Sequence, residues 1–137
     1  MSFDPAVIAR VAAIVAAVLY LGLVAFQLAL ALGAPWGRAA YGGQSAELST
    51  ALRVSSAIAV IVWSGVALVV LRRAGVTGWA PLPDAWLPVA VWVVVGLSAV
   101  AIVMNAITPS ALERAIWLPV AILLFGSTLT VALAAPR

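Results

Sequence analysis

Long apolar stretches separated by short polar ones run along the whole chain. A bilayer core about 30 Å thick needs roughly 20 helical residues, and lipid does not tolerate unpaired backbone groups. Four stretches meet this requirement and predict helices at about 6–32, 50–71, 85–105 and 111–134. We therefore expect an all-α fold, a polytopic four-transmembrane-helix bundle that forms one domain over residues 1–137.

The composition supports this interpretation, because 66% of the 137 residues are apolar and only 8% are charged. An average soluble domain has about 45–50% apolar and about 25% charged residues, so a soluble globular protein is excluded. Seven basic and four acidic residues give a net charge of +3, but the arginines form no basic stripe. We expect the lipid bilayer to be a partner and nucleic acid not to be one.

Several residue types that carry enzyme chemistry are missing from the sequence. The chain has no lysine, histidine or cysteine, which removes Schiff bases, imidazole bases, thiol nucleophiles, Cys/His zinc sites and disulfides. The central part of each span also has no charged side chain, which argues against proton-coupled transport and voltage sensing. We expect no catalytic, cofactor-binding or metal-binding residues, and no cofactor.

Polar residues concentrate near two of the loops. Loop 1, residues 33–49, is glycine-rich and longer than a hairpin needs, and loop 3, residues 105–109, is a tight turn. Because the spans alternate in direction, these two loops lie on the same side of the membrane. The polar residues that meet there form a candidate cluster: Gln27, Arg38, Tyr41, Glu47, Arg53, Asn105, Ser110, Glu113 and Arg114.

Three interpretations of this cluster are open. In the first, Glu113 pairs with Arg53 or Arg38 and latches one hairpin to the other, because small bundles need polar contacts to fix helix order. In the second, Arg38, Arg53 and Arg114 form a shallow cup for a small or anionic molecule. In the third, loop 1 binds a partner protein.

Local signals predict helix caps and packing faces. Ser110 and Glu113 have the spacing of a capping box for the fourth helix, and Asp84 can cap the third. Small residues at four-residue spacing favour close helix packing. Such stripes comprise Ala25, Ala29 and Gly33 in the first helix, and Gly126, Thr130 and Ala134 in the fourth.

The six tryptophans are interpreted by their depth in the membrane. Amphipathic rings near span ends anchor helices at the level of the lipid headgroups. The tryptophans predicted to do so are Trp36, Trp79, Trp86 and Trp117. Trp63 and Trp92 lie deeper, and their indole N–H groups need a hydrogen-bond partner.

The loop 3 region carries a family resemblance. The pattern runs Asn105-x-x-Thr108-Pro109-Ser110-x-x-Glu113-Arg114-x-x-Trp117-x-Pro119. It resembles a family of small, uncharacterised bacterial four-helix integral membrane proteins. The resemblance implies the four-helix architecture and directs attention to the loops, and it implies no activity.

These observations favour a non-enzymatic integral membrane protein. We expect an accessory or scaffold subunit whose polar binding surface is formed by loops 1 and 3, with a membrane-protein partner or a second copy of the chain as its partner. The alternative is a small-solute pore or carrier, assembled as an oligomer. An enzyme is the third hypothesis, and it would use Tyr41, Glu47 and Glu113 as its acid or base groups.

The distribution of arginine predicts the orientation. One side holds Arg10, Arg72, Arg73 and Arg137, whereas the other holds Arg38, Arg53 and Arg114. Because cytoplasmic loops carry an excess of basic residues, we expect a bacterial inner (plasma) membrane protein with both termini in the cytoplasm. The first apolar stretch is longer than a signal peptide core, so we expect it to be a retained span.

Overall fold

The computed structural model describes residues 4–136, which form helices and loops and contain no β-strand. The α-helices are α1 Pro5–Ala31, α2 Thr50–Arg73, α3 Leu87–Ile107 and α4 Ala111–Ala134. Each is long and apolar enough to cross a membrane. The predicted all-α, four-helix transmembrane bundle is confirmed, and the chain is a multi-pass integral membrane protein.

Three of the helices are capped at their N-terminus by a side chain of the preceding segment. Each side chain accepts a hydrogen bond from a main-chain N–H of the first turn, which has no partner within the helix. These pairs are Asp4 with Ala6 N at 2.9 Å, Ser49 with Leu52 N at 3.4 Å and Ser110 with Glu113 N at 3.1 Å. All eight helix ends therefore lie close to their predicted positions, the largest shift being two residues.

The cap predicted for α3 is wrong. Asp84 begins a short 3₁₀ turn, Asp84–Trp86, and α3 starts only after it, at Leu87. Trp86 occupies the cap position and makes no side-chain capping bond. The Asp84 carboxylate instead pairs with Arg72 at 2.5 Å, because the turn carries it back towards the end of α2.

The helices do not pack equally against one another. α1 packs extensively against α2 and α4, and α4 packs against α3, whereas the contact between α2 and α3 is much smaller. The buried core is densest in the half of the bundle that contains loop 2, residues 74–86. There, Ala9, Ala13 and Ala16 are fully buried and lie in one cluster with Val70 and Val91.

The predicted packing stripes are wrong in position. Ala25 on α1 and Gly126 on α4 are exposed, and a Cβ added to Gly126 would meet no atom within 4 Å. The close approach uses Ala9, Ala13 and Ala16 instead, at alternating spacings of four and three residues. Alanine is so frequent in this chain that spacing alone did not single out the face that packs.

The other half of the bundle is looser. Between Thr50 and Val62 on α2, Ser56 is the one buried residue, and on α3 no residue from Ala99 to Ile107 is buried. Since α2 and α3 also have the smallest interface between consecutive helices, space remains between them beneath loop 1.

The tryptophans differ in how exposed they are. Trp36, Trp79 and Trp86 are more than half exposed near helix ends, as their predicted anchoring role requires. Trp92 is also half exposed, on the outer surface of α3. Trp117 is no headgroup anchor, because its ring packs against Phe26 with centroids 4.8 Å apart.

Candidate ligand-binding site

The carboxylate of Glu113 fixes loop 1 to the start of α4. Its Oε2 accepts hydrogen bonds from the main-chain N–H of Gly42 at 3.0 Å and from the Thr108 hydroxyl at 2.6 Å. Ser110 Oγ accepts from Glu113 N as in a capping box, but the carboxylate turns towards loop 1 and does not complete the motif. The predicted capping box is therefore half correct, and the side chain of Glu113 joins loop 1 to loop 3.

Two further donors on this side hold the main chain of loop 1. Ser110 Oγ donates to Arg38 O at 2.7 Å, and Trp117 Nε1 donates to Ala39 O at 2.9 Å. Gly43 allows the close approach, because a Cβ at this position would lie 2.6 Å from Ser110 Oγ and its φ is +68°. Loop 1 is thus fixed as a lid over the end of the bundle.

The three arginines of the predicted cluster also hydrogen-bond to the main chain. Each donates to a different carbonyl: Arg38 to Gly43 O at 3.3 Å, Arg53 to Ala31 O at 3.1 Å and Arg114 to Thr108 O at 2.9 Å. Within residues 4–136 the salt bridge is Arg72–Asp84, at the opposite end of the bundle. The predicted ion pair between Glu113 and Arg53 or Arg38 is wrong, since the Glu113 carboxylate accepts hydrogen bonds from Gly42 N and the Thr108 hydroxyl instead. Each guanidinium group thus bonds to a different carbonyl, at the end of a helix or within a loop.

Tyr41 connects the lid to α2. Its hydroxyl hydrogen-bonds Ser56 Oγ at 2.9 Å, and Ser56 is fully buried. The backbone of Tyr41 has φ +50°, a left-handed conformation that bulky residues rarely adopt. Such conformations persist only where the surroundings hold them, and here the hydrogen bond to Ser56 does so.

A cavity of about 290 Å³ lies between the four helices beneath this lid. Five aromatic residues contribute to its wall, namely Tyr20, Phe26, Tyr41, Trp63 and Trp117. Tyr20 and Trp63 are stacked with centroids 5.8 Å apart. Each lies near the middle of its helix, so this ring pair lies at the membrane-centre end of the cavity. The polar side chains in the wall are Gln27, Ser98, Asn105 and Glu113.

Ser98 and Asn105 are satisfied within their own helix and Glu113 by other segments, whereas Gln27 has an unpaired oxygen. Ser98 Oγ donates to Val94 O at 2.9 Å, and Asn105 Nδ2 donates to Ala101 O at 2.8 Å. In contrast, Gln27 Oε1 is buried and accepts no hydrogen bond from residues 4–136. Buried polar atoms are nearly always paired, so the amide of Gln27 stands out in this wall as the polar group whose oxygen has no protein donor.

The predicted polar cluster therefore separates into three groups. Gln27, Tyr41, Asn105 and Glu113 line the cavity. Arg38, Arg53, Ser110 and Arg114 hold helix and loop ends in place. Glu47 is exposed in loop 1, where its carbonyl accepts a hydrogen bond from Ser45 Oγ at 2.7 Å.

Sequence reasoning missed the aromatic part of the wall. A usable signal was present, because lining residues recur at spacings of three and four in three of the four helices. The series are Tyr20, Leu23 and Gln27 in α1, Ser98, Ala101 and Asn105 in α3, and Trp117, Val120 and Leu124 in α4. Two of these series end in an amide side chain near the lid.

Comparison with known proteins identifies no relative: no family model matches the chain, and no curated protein or solved structure matches it significantly.

Proposed function

We propose that this integral membrane protein is non-enzymatic and binds a small uncharged molecule in the cavity beneath loop 1. The observation that carries the proposal is the buried, unpartnered Oε1 of Gln27 in the wall of an aromatic-lined cavity. Ligand sites are mostly apolar, with a few polar groups that fix orientation, and their volumes start at about 300 Å³. A cavity of about 290 Å³ suits a molecule of one or two rings.

The charges around the cavity favour an uncharged ligand. Glu113 is the acidic residue of the wall, and its Oε2 already accepts two hydrogen bonds that hold the lid. The nearby guanidinium groups of Arg38, Arg53 and Arg114 each donate to a main-chain carbonyl. An anionic ligand would lie beside the Glu113 carboxylate with no basic side chain among the lining residues to compensate, which is costly in a membrane. A cationic ligand would draw Glu113 away from the two hydrogen bonds that hold the lid.

The packing below the cavity favours binding over a continuous pore. The cavity wall reaches Tyr20, Trp63 and Leu124 near the middle of the membrane. Beyond these residues the loop 2 half is filled by the buried core around Ala13 and Val91. Binding in a closed-ended cavity fits a receptor or carrier better than a channel.

A role as an accessory or scaffold subunit is the second candidate function. It is supported by the outer surface of loop 1, where Gln44, Ser45 and Glu47 are exposed on a segment that hydrogen bonds hold firmly in place. We expect Gln44→Ala with Glu47→Ala to reduce copurification of a stoichiometric partner in mild detergent while the variant remains folded. Unchanged copurification in that variant would argue against this role.

The expected location is a bacterial inner membrane with both termini cytoplasmic, as the arginines and the family resemblance suggest. The chain has no native cysteine, so Ser45→Cys and Gly78→Cys can report orientation. Both residues are exposed, one in loop 1 and one in loop 2. An impermeant thiol reagent applied to intact cells should label the loop 1 cysteine only, and the reverse pattern would invert the orientation.

Ligand binding is tested with 6-bromo-2-naphthol, whose bromine quenches nearby indole fluorescence. The protein is used in lipid nanodiscs with Trp36, Trp79, Trp86 and Trp92 replaced by Phe, which leaves the two tryptophans of the cavity wall. We call this protein the two-tryptophan variant. Saturable quenching is expected.

A pair of matched substitutions shows whether the quenching reports on the cavity. Ala101→Leu fills the cavity and should weaken binding about tenfold or more, since overpacking a small site is costly. Ala106→Leu makes the same change on an exposed part of the same helix and should leave binding unaltered. Equal quenching in both variants would refute the proposed function.

A further inference from the structure

One wall of the cavity is exposed at the centre of the membrane. Leu97 lines the cavity and is also 47% exposed on the outside of the bundle. It is the middle residue of the 21-residue α3, about 15 Å from either end of the helix. Because the bilayer core is about 30 Å thick, the surroundings of Leu97 are acyl chains and not water.

The packing of α2 and α3 leaves a gap at this position. These helices have little contact, and neither buries residues in its loop 1 half apart from Ser56. The water-facing end is closed instead, because Ala39 and Ala40 are buried under the lid and Ala39 O is bonded to Trp117. The more open side of the cavity is therefore the one that faces lipid.

The cavity wall has a polar end and an apolar end. Gln27, Asn105 and Glu113 lie towards the lid, whereas Leu97 and Leu124 lie towards the membrane centre. Aromatic rings at both levels favour a planar ligand, because stacked or tilted rings attract one another. No hydrogen bond within residues 4–136 fixes the amide of Gln27, so a half-turn of the amide presents Oε1 to the cavity, where it can accept a hydrogen bond from a donor on such a ligand.

We infer that the cavity opens sideways to the bilayer between α2 and α3, and takes from the lipid an uncharged planar ring compound that carries an O–H or N–H donor. Phenols, indoles and hydroquinones belong to this class. The inference rests on the proposed function, because it specifies the ligand and the route for the same cavity. The donor is hydrogen-bonded to Gln27, and the ring lies among the aromatic side chains.

The donor requirement is tested with two probes that differ by one methyl group. 6-Bromo-2-naphthol has an O–H donor, whereas 6-bromo-2-methoxynaphthalene has none. In the two-tryptophan variant the naphthol should bind about fivefold more tightly, relative to its concentration in lipid, because the methoxy compound leaves the Gln27 oxygen unpaired. Equal or tighter binding of the methoxy compound would overturn the donor requirement.

Substitution of the acceptor provides a second test of the same point. Gln27→Leu has a similar volume but no acceptor, so it should abolish the preference for the naphthol. Gln44→Leu is the matched control, because Gln44 is exposed in loop 1 and should keep the preference. A preference that survives Gln27→Leu in a folded variant would assign the donor contact to another group.

The route is tested by narrowing the gap at Leu97. Leu97→Phe in the two-tryptophan variant should slow binding of the naphthol from nanodisc lipid severalfold, because the ligand must pass this side chain. Val100→Phe places the same ring on an exposed part of α3 outside the cavity wall and should leave the rate unchanged. Equal rates in both variants would overturn the lateral route.

The outcomes separate this inference from the proposed function. If both probes bind equally and Ala101→Leu blocks both, the cavity binds small molecules but the ligand class is wrong. If neither probe shows binding sensitive to Ala101→Leu, the proposed function itself fails.

Discussion

The two halves of this bundle use different interactions to hold the same four helices together. In the loop 2 half, small buried alanines let the helices approach closely, and the polar contacts at the end are charged. There Arg72 pairs with Asp84, and Arg73 donates to the carbonyls of Ala135 and Pro136. In the loop 1 half α2 and α3 bury few residues, and a lid fixed by hydrogen bonds to main-chain groups covers the cavity there.

This difference shows how a very small membrane protein can combine stability with an open site. Helices in lipid associate through close packing and polar contacts, because lipid provides no hydrophobic force between them. The packed half satisfies the first requirement with Ala9, Ala13 and Ala16. The lid satisfies the second without filling the interior, since its donors and acceptors lie at the rim and leave about 290 Å³ beneath them.

The largest effect is expected from breaking the packed half. Ala13→Leu inserts three carbon atoms at a fully buried position of α1 and should destabilise the protein by about 3 kcal/mol. Ala25→Leu makes the same change at an exposed position of the same helix and should cost far less. Unfolding of both variants in detergent, followed by circular dichroism, measures the difference. Similar losses would mean that the two halves do not differ in packing.

The next effect concerns the close contact that seats the lid. Gly43→Ala should destabilise the protein by about 2 kcal/mol, because a left-handed residue is strained and its Cβ would meet Ser110. Gly75→Ala is a matched control, since Gly75 has a φ of +69° but no atom within 4 Å of an added Cβ. The difference in melting temperature between the two variants isolates the contact. Equal melting temperatures would show that only backbone strain matters at Gly43.

The fold was predictable from the sequence because it depends on features that the sequence displays directly. Span lengths, the turn residues of the loops and the cap at Ser110 placed the helix ends within two residues. The helix faces were not predictable in the same way. In a chain that is 66% apolar, residues that face lipid and residues that face the core have the same character, so Ala25 and Ala13 look alike.

The site was predictable in part, for a related physical reason. Polar residues are rare in the spans, so Gln27, Asn105 and Glu113 stood out and do line the cavity. The error lay in the partner of Glu113, which was expected to be an arginine. A carboxylate is satisfied equally well by main-chain N–H groups, and the turn of loop 1 that brings Gly42 N to it cannot be read from residue types.

A moderate effect is expected from removing one donor under the lid. Trp117→Phe keeps an aromatic ring against Phe26 but loses the hydrogen bond to Ala39 O, so stability should fall by about 1 kcal/mol. Trp92→Phe, on the exposed outer surface of α3, is the matched control and should change stability little. Thermal unfolding in detergent gives both values. A loss no greater in Trp117→Phe than in Trp92→Phe would mean that the Ala39 contact does not fix the lid.

The smallest effect distinguishes the polar contacts of the two ends, and double-mutant cycles measure it. Arg72→Gln with Asp84→Asn should show a small coupling that disappears at high salt, because this ion pair is open to solvent and is screened. Glu113→Gln with Arg53→Gln should be additive at every salt concentration, because Glu113 bonds to Gly42 and Thr108 while Arg53 bonds to Ala31. A salt-dependent coupling between Glu113 and Arg53 would restore the ionic latch at the loop 1 end and remove the contrast between the two halves. Additivity there, together with coupling at the loop 2 end, would confirm that an ion pair contributes at the loop 2 end and not at the loop 1 end.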